Sequence, residues 1–135
     1  MITAVDTSVL VDVFEADAEF GPSSARALRS CLAEGALVAC DAVWAEVAAH
    51  FGKGHAASEP MAKLRVEFSP VEMLSASAAG EGWRAYRKAG GTRERLVADF
   101  LIGAHALTQA DRLLTRDRGF YRRYFSDLQV LDPSA

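Results

Sequence analysis

Four acidic residues lie at positions that a parallel sheet would bring to one edge. Each follows a short apolar run or falls early in a segment with helical spacing, and they are Asp6, Glu46, Asp99 and Asp117. Gathered carboxylates repel one another, which raises some of their pKa values unless a cation neutralises the cluster. Hard divalent ions prefer oxygen ligands, so these residues predict a site for Mg²⁺ or Mn²⁺ rather than zinc. Such an ion can activate water for displacement at phosphorus, which is what a nuclease requires.

Hydroxyl groups and arginines stand beside these acids in the chain. Thr7 and Ser8 directly follow the first acid, and Thr115 lies two residues before the last. Their hydroxyls can hold a metal-bound water or a phosphate oxygen, and helix capping or strand termination is the equally plausible alternative. Arg116 and Arg118 flank the last acid, where guanidinium groups can contact substrate phosphates or pair with neighbouring acids.

The segment from residue 96 to residue 117 organises the predicted site. From Asp99 to Gln109 the apolar residues recur with the spacing of a helix that buries one stripe. An acid in the first turn is favoured by the partial positive charge at the amino end of the helix. Residues 113–115 then form a short strand, so Asp117 stands at its carboxyl end. In open parallel sheets, ligands bind at that edge.

Strands and helices are predicted to alternate along the whole chain. Short apolar runs predict five strands, at residues 2–5, 36–40, 71–74, 113–115 and 128–131. Helical spacing between them includes a segment within residues 57–68 and another at 75–89, which two glycines end. Alternation of this kind requires right-handed crossovers, so we expect an α/β fold with a mostly parallel sheet covered on both faces.

Length and composition favour one ordered domain in the cytoplasm. The chain has 135 residues, half of them hydrophobic, enough for a single buried core. Its longest apolar stretch, residues 37–47, is interrupted by Asp41 and Glu46 and is too short to span a membrane. There is no basic amino-terminal segment of a signal peptide, and the two cysteines, Cys31 and Cys40, are far from any paired pattern. We therefore expect a reduced cytoplasmic protein without a disulfide.

Charge is distributed unevenly along the chain. Residues 84–123 carry ten basic and four acidic side chains, a net charge of +6, whereas the remainder carries −9. This pattern is compatible with a phosphate-binding face, although charge alone favours solvated helix faces paired with acids elsewhere. The three histidines, His50, His55 and His105, are interpreted as structural or surface groups because their spacing does not bring them to the predicted acids.

Taken together, the motifs resemble those of one protein family. They are Asp6-Thr7-Ser8, Glu46, the run Ala98-Asp99-Phe100-Leu101-Ile102-Gly103-Ala104, and Leu113-Leu114-Thr115-Arg116-Asp117. This set closely resembles the PIN-domain ribonucleases, and most closely the VapC-type toxins of bacterial toxin–antitoxin systems. The resemblance covers essentially residues 1–135 as a single domain. It carries the four catalytic and metal-binding acids of the family onto Asp6, Glu46, Asp99 and Asp117, with the hydroxyl position at Thr115.

Several further expectations come only from this resemblance. It implies a three-layer α/β/α domain whose five strands lie in the order 3-2-1-4-5. It also implies an endoribonuclease that cleaves RNA with Mg²⁺ or Mn²⁺, forms a homodimer and is neutralised by a cognate VapB-type antitoxin. Asp12 matches an acid common in such toxins, but two helical turns from Asp6 it can instead form a salt bridge.

Two other functions remain open from the residues. Haloacid-dehalogenase-like phosphatases also begin with an apolar strand that ends in Asp, but they use a second Asp two residues later, where this chain has Ser8. A non-catalytic module that binds RNA or protein would be favoured if one of the four acids were replaced, and none is. The RNA target and the antitoxin are not specified by the sequence.

Two predicted helices carry more apolar side chains than one face of a small sheet requires. These are Val9, Leu10, Val13 and Phe14 on the first helix, and Val43, Trp44, Val47 and Phe51 on the helix after the second strand. A groove between them would suit an amphipathic or extended segment of the antitoxin. The alternative is that Phe14 and Trp44 belong to the ordinary core.

Overall fold

Short strands alternate with helices in the computed structural model, which describes residues 1–53, 55–92 and 95–134. The strands are β1 (Ile2–Val5), β2 (Ala36–Ala39), β3 (Val66–Phe68), β4 (Arg112–Leu114) and β5 (Val130–Leu131). The helices are α1 (Thr7–Phe14), α2 (Gly21–Glu34), α3 (Asp41–Phe51), α4 (Ser58–Lys63), α5 (Met73–Lys88), α6 (Val97–Gln109) and α7 (Arg118–Tyr124). This succession confirms the predicted α/β class.

The five strands form one sheet in the order β3-β2-β1-β4-β5, and every pairing is parallel. Thr3 in the central strand lies opposite Leu37 on one side and Arg112 on the other. The expected strand order is therefore confirmed. Because β1 lies between β2 and β4, the segments that follow these three strands emerge side by side at one edge.

The sheet is covered on both faces. Side chains alternate between the two faces of a strand, yet Thr3, Ala4 and Val5 are all buried in β1, and so are the residues of β4. A strand buried on both sides is what parallel sheets with helices above and below produce. Phe100 and Leu10 bring α6 and α1 into the core, since both side chains have no exposed surface.

The third strand lies earlier than predicted. We expected a strand at residues 71–74 after a helix within 57–68, but the helix ends at Lys63 and β3 covers Val66–Phe68. Arg65 explains the difference, since its φ of 59° is left-handed and cannot continue a helix. Val66 then enters the sheet opposite Leu37.

Residues 71–74 are not a strand, so that prediction was wrong. The amide of Val71 donates to Asp41 Oδ1 at 2.6 Å, which ties this segment to the start of α3. Met73 and Leu74 begin α5 with 85% and 71% of their surfaces exposed. The composition of a short apolar run does not show whether its side chains are buried in a sheet or exposed to solvent. The pattern therefore predicted a strand where the structure has none.

The apolar faces of α1 and α3 are only partly covered. Val9, Val43 and Val47 belong to the buried core. Phe14 and Trp44 are half-buried, and Trp44 packs edge-on against Phe68 with 5.3 Å between the ring centroids. The two aromatic side chains therefore contact the core and also have exposed surface. They are neither ordinary core residues nor fully exposed groove residues, which were the two alternatives left open by the sequence.

Cys31 and Cys40 are both free and buried. Within the described ranges, no helix combines the length and apolar character that crossing a membrane requires. Arg93 and Glu94, which belong to the basic segment recognised in the sequence, lie outside the described residues.

Candidate active site

Asp6 is fixed at the point where β1 gives way to α1. Its backbone is extended and its side chain caps the helix, with the amide of Thr7 donating to Asp6 Oδ1 at 2.8 Å. The Asp6 amide donates to the carbonyl of Leu114 at 3.0 Å, which continues the pairing of β1 with β4. Asp6 therefore caps α1 and also stands at the carboxyl edge of the sheet.

Thr115 connects two of the acids. Its hydroxyl donates to Asp6 Oδ2 at 2.7 Å and accepts from the amide of Asp117 at 2.9 Å. The side chain has no exposed surface, so these bonds are shielded from water. The hydroxyl thus holds the carboxylate at the end of β1 and the turn after β4 in fixed relation. Thr115 therefore positions the acids, because its hydroxyl uses both its donor and an acceptor site to bind Asp6 and Asp117.

Glu46 and Asp99 reach the same edge from helices. Glu46 lies in the second turn of α3 and is exposed, and its Oε1 accepts from the Thr7 hydroxyl at 2.9 Å. Asp99 lies in the first turn of α6, as predicted, and its Oδ2 accepts from the amide of Leu96 at 3.0 Å. The hydroxyl of Thr7 therefore orients Glu46, while Asp99 caps its own helix.

Asp117 forms an ion pair that the sequence analysis missed. Its Oδ2 accepts a hydrogen bond from Arg95 Nη1, and the same guanidinium lies 4.2 Å from the ring centroid of Phe120. Asp117 raises the pKa of Arg95, mainly through this hydrogen bond. Only the net charge of residues 84–123 hinted at such a contact, because Arg95 is 22 positions from its partner.

All four predicted acids line one cavity of about 480 Å³ at the carboxyl edge of the sheet, here called the acid cavity. Thr7, Ser8 and Arg116 also line it, as do three further acids, Asp12, Glu15 and Asp17. The Oγ of Ser8 is buried and has no hydrogen-bond partner among the described residues. The structure therefore brings the predicted acids and both predicted hydroxyls after β1 together.

Burial and mutual repulsion shape the electrostatics of the acid cavity. Asp6 is 8% exposed, and its pKa rises from 3.8 to about 6, mainly because burial disfavours the charged form. The hydrogen bonds from Thr115 and Thr7 oppose this rise, while the charges of Glu46 and Asp99 add to it. A cation in the cavity would favour the charged form of Asp6 and offset its repulsion by Glu46 and Asp99.

The two arginines that flank Asp117 are engaged with acids. Arg116 forms a two-pronged pair with Asp12, with distances of 2.8 Å from Nε to Oδ2 and 3.0 Å from Nη2 to Oδ1. The guanidinium also lies 4.0 Å from the ring centroid of Phe20. Arg118 Nε lies 3.6 Å from Asp132 Oδ2. These contacts match the pairing role that the sequence left open, and a role in substrate binding stays a prediction.

Asp12 is buried, with 4% of its surface exposed. Besides its pair with Arg116, its Oδ2 accepts from the hydroxyl of Ser24 at 2.9 Å. Asp12 therefore ties α1 to α2 and to the turn after β4. Asp12 therefore forms the salt bridge that the sequence analysis considered for it, and it also lines the acid cavity.

The donor set of the acid cavity fits a hard divalent ion in chemical type. It offers carboxylate and hydroxyl oxygens, including the unpartnered Oγ of Ser8, whereas His105 is buried elsewhere with its Nε2 2.9 Å from Ser69 Oγ. In the part of the chain that the structure describes, no three Asp, Glu, His or Cys side chains converge closely enough to hold an ion. The carboxylates are instead directed at Thr7, Thr115, Arg95 and a backbone amide. Arg95 engages Oδ2 of Asp117, so an ion at this carboxylate would compete with the guanidinium.

Comparison with known proteins identifies the family. The PIN domain model matches residues 3–126, so the chain belongs to the PIN-domain family. Similar solved structures include VapBC2 from Rickettsia felis bound to a DNA fragment from their promoter, with 20% identity, a TM-score of 0.73 and 98% of both chains covered. VapBC-1 from nontypeable Haemophilus influenzae has 18% identity and a TM-score of 0.72 over the whole of both chains. A toxin–antitoxin complex from Klebsiella pneumoniae has 20% identity and a TM-score of 0.64, with 97% of both chains covered. A comparison with curated proteins gave no significant sequence match.

Proposed function

We propose that this protein is a metal-dependent endoribonuclease and acts as a VapC-type toxin. The observation that carries the proposal is the convergence of Asp6, Glu46, Asp99 and Asp117 on one cavity of a PIN domain. The raised pKa of the buried Asp6 supports it, because a carboxylate held against burial and like charges favours a cation beside it. The similarity of fold to the VapBC structures supports the toxin assignment.

Within this proposal, the acids have separate tasks. Asp6, Asp99 and Asp117 would hold Mg²⁺ or Mn²⁺, with Glu46 contributing directly or through water. The bound ion would supply the positive charge that activates water and offsets the charge of the phosphodiester. Thr115 keeps Asp6 and the turn at Asp117 in register, and the Thr7 hydroxyl orients Glu46. Ser8 offers the remaining free hydroxyl in the cavity.

A cleavage assay tests the proposal. The purified protein should cleave single-stranded RNA with Mg²⁺ or Mn²⁺ and lose this activity in excess EDTA. Asp6→Asn should reduce cleavage by about a hundredfold or more, because it removes a ligand charge at nearly constant volume. Asp127→Asn is the matched control, since Asp127 is exposed and lies outside the acid cavity. Mn²⁺ should raise the melting temperature of the wild type and of the control, but not of Asp6→Asn.

The assay also separates the alternatives. Full cleavage by Asp6→Asn, or by the wild type in excess chelator, would refute the metal-dependent site. Hydrolysis of a phosphate monoester without RNA cleavage would favour the phosphatase. Binding of RNA without any hydrolysis would favour a non-catalytic module.

We also propose a VapB-type antitoxin as the partner, together with a homodimer. The half-buried Trp44 and Phe14 on α3 and α1 support a docking surface for an apolar segment of the antitoxin. Trp44→Ala should weaken binding of a VapB-type antitoxin and leave the free protein folded. A loss of roughly 3 to 5 kcal/mol in unfolding free energy, typical of a core residue, with unchanged antitoxin affinity in the folded fraction would contradict this.

A further inference from the structure

A second cavity, of about 410 Å³, lies between the segment after α5 and helix α7. Arg95, Arg123, Tyr124 and Gly119 line it, and we call it the basic cavity. Among the residues that the structure describes, its lining contains two arginines and no acid. Its volume falls within the roughly 300–1,000 Å³ typical of pockets for small molecules. The proposed catalytic groups leave this cavity unused.

The basic cavity and the acid cavity meet at a single ion pair. Arg95 lines the basic cavity and donates to Asp117, which lines the acid cavity. Gly119, on the wall of the basic cavity, is only two residues beyond Asp117. A polymer that places one phosphodiester at the acids therefore has its adjoining unit within reach of the arginines.

The wall formed by the segment after α5 is built by specific contacts. The hydroxyl of Tyr86 donates to the carbonyl of Thr92 at 2.8 Å, closing the segment back onto the helix. Gly91 lies so close to this ring that an added Cβ would be 2.5 Å from a ring carbon. Gly90 has a φ of +83°, a conformation that side chains disfavour. Two adjacent glycines are thus needed to shape this side of the cavity.

The opposite wall offers charge beside an aromatic surface. The guanidinium of Arg123 is exposed and lies 5.3 Å from the ring centroid of the half-buried Tyr124. An arginine can contact a phosphate, and an adjacent tyrosine ring can stack on a nucleobase whatever its identity. The combination suits a nucleotide better than an acidic peptide, which offers carboxylates but no planar base.

We infer that the basic cavity binds one nucleotide of a single-stranded RNA, beside the phosphodiester held in the acid cavity. The nucleotide phosphate contacts Arg123, and its base lies against Tyr124. Arg95, between the cavities, is shared by the substrate and Asp117. This inference rests on the proposed ribonuclease function and adds to it the subsite that positions the substrate.

A steric substitution tests the subsite without changing charge. An added Cβ at Gly119 meets no atom within 4 Å, so Gly119→Leu should fold normally while filling the basic cavity. Gly80→Leu is the matched control, because Gly80 is exposed in α5, is equally unobstructed and lies outside the cavity. The probe is a labelled, unstructured RNA of about 12 nucleotides, titrated in EDTA to prevent cleavage. Gly119→Leu should weaken binding about tenfold, whereas Gly80→Leu should bind like the wild type.

A charge substitution gives an independent measurement. Arg123→Ala should make the dependence of log K on log salt concentration shallower by about 0.7, the value for one phosphate contact with a single strand. Arg122→Ala removes the same charge from the neighbouring position of α7, outside the cavity lining. Its slope should equal that of the wild type.

The outcomes separate the subsite from the proposed function. If the wild type cleaves RNA but Gly119→Leu and Arg123→Ala behave like their controls, the subsite is refuted and the ribonuclease stands. If the wild type neither binds nor cleaves RNA with Mg²⁺ or Mn²⁺, the proposed function fails first. If poly-glutamate displaces the RNA as effectively as unlabelled RNA of equal charge, the cavity recognises acidic chains generally, which also overturns the nucleotide assignment.

Discussion

The acid cavity and the basic cavity adjoin, yet they have opposite charge. Seven carboxylates line the first, while the described lining of the second contains two arginines and no acid. Carboxylates that attract a divalent ion also repel a phosphodiester, so the same groups cannot supply both interactions. Separation across the Arg95–Asp117 pair allows each cavity to serve one of them. Under the proposed ribonuclease function, substrate attraction and catalysis therefore rest on different residues.

The two cavities also differ in how their charges are held. Asp6 is buried and receives hydrogen bonds from Thr7 and Thr115, which fixes its carboxylate. Arg123 is exposed and lies against one ring. Buried polar groups are costly if they lose a partner, whereas exposed charges are screened by solvent. Substitution of Asp6 should therefore change stability, whereas substitution of Arg123 should change binding.

The largest effect on stability should come from the charge of Asp6. Its pKa in the folded protein is about 6, above its ordinary 3.8. A raised pKa means that protonated Asp6 stabilises the folded state. This stabilisation is fully present below about pH 4 and is lost as the pH rises through 6. Asp6→Asn does not titrate, so the variant should gain stability relative to wild type with rising pH, by up to about 3 kcal/mol.

Urea unfolding in EDTA at low and high pH measures this difference. Asp127→Asn serves again as the control, because its side chain is exposed and lies outside the acid cavity. If the unfolding free energies of Asp6→Asn and wild type differ by the same amount at every pH, the pKa of Asp6 is not raised by folding.

Thr115→Val should have the next largest effect on stability. The substitution keeps the shape but removes the hydroxyl that joins Asp6 Oδ2 to the Asp117 amide. Leaving buried groups without a partner should cost about 1–3 kcal/mol of unfolding free energy. Thr115→Ser retains the hydroxyl and should keep the connection, with only the loss of a methyl group. Equal stability of the Val and Ser variants would contradict the positioning role of Thr115.

The smallest effect should arise at the boundary of the cavities. Arg95→Gln frees Asp117, so Mn²⁺ affinity should increase by up to about fivefold, the value of a partly exposed ion pair. RNA affinity in EDTA should decrease, because the same substitution removes positive charge from the basic cavity. Calorimetry with Mn²⁺ and the RNA titration measure the two changes. If the Mn²⁺ affinity and the RNA affinity change in the same direction, Arg95 does not separate ion binding from RNA binding.

Much of the fold and of the candidate site could be predicted from local patterns. The run before Asp6 and the helical spacing after Asp99 depend on neighbouring residues, and the structure has both elements where they were expected. Parallel strands end at one edge, so acids placed after strands meet there without knowledge of any contact. The third strand could not be predicted, because the break at Arg65 and the exposure of Met73 and Leu74 depend on packing.

The partners of the charged residues were decided by the tertiary structure. The sequence identified Arg116 and Arg118 as neighbours of Asp117, yet these arginines pair with Asp12 and Asp132. Arg95 reaches Asp117 across 22 positions of the chain. The apolar pattern that predicts a helix or a strand involves residues a few positions apart, whereas an ion pair depends on two side chains that only the folded chain brings within about 4 Å. The sequence therefore indicated four of the seven acids that line the acid cavity, and the packing of α6, α7 and the sheet edge determined which arginine accompanies them.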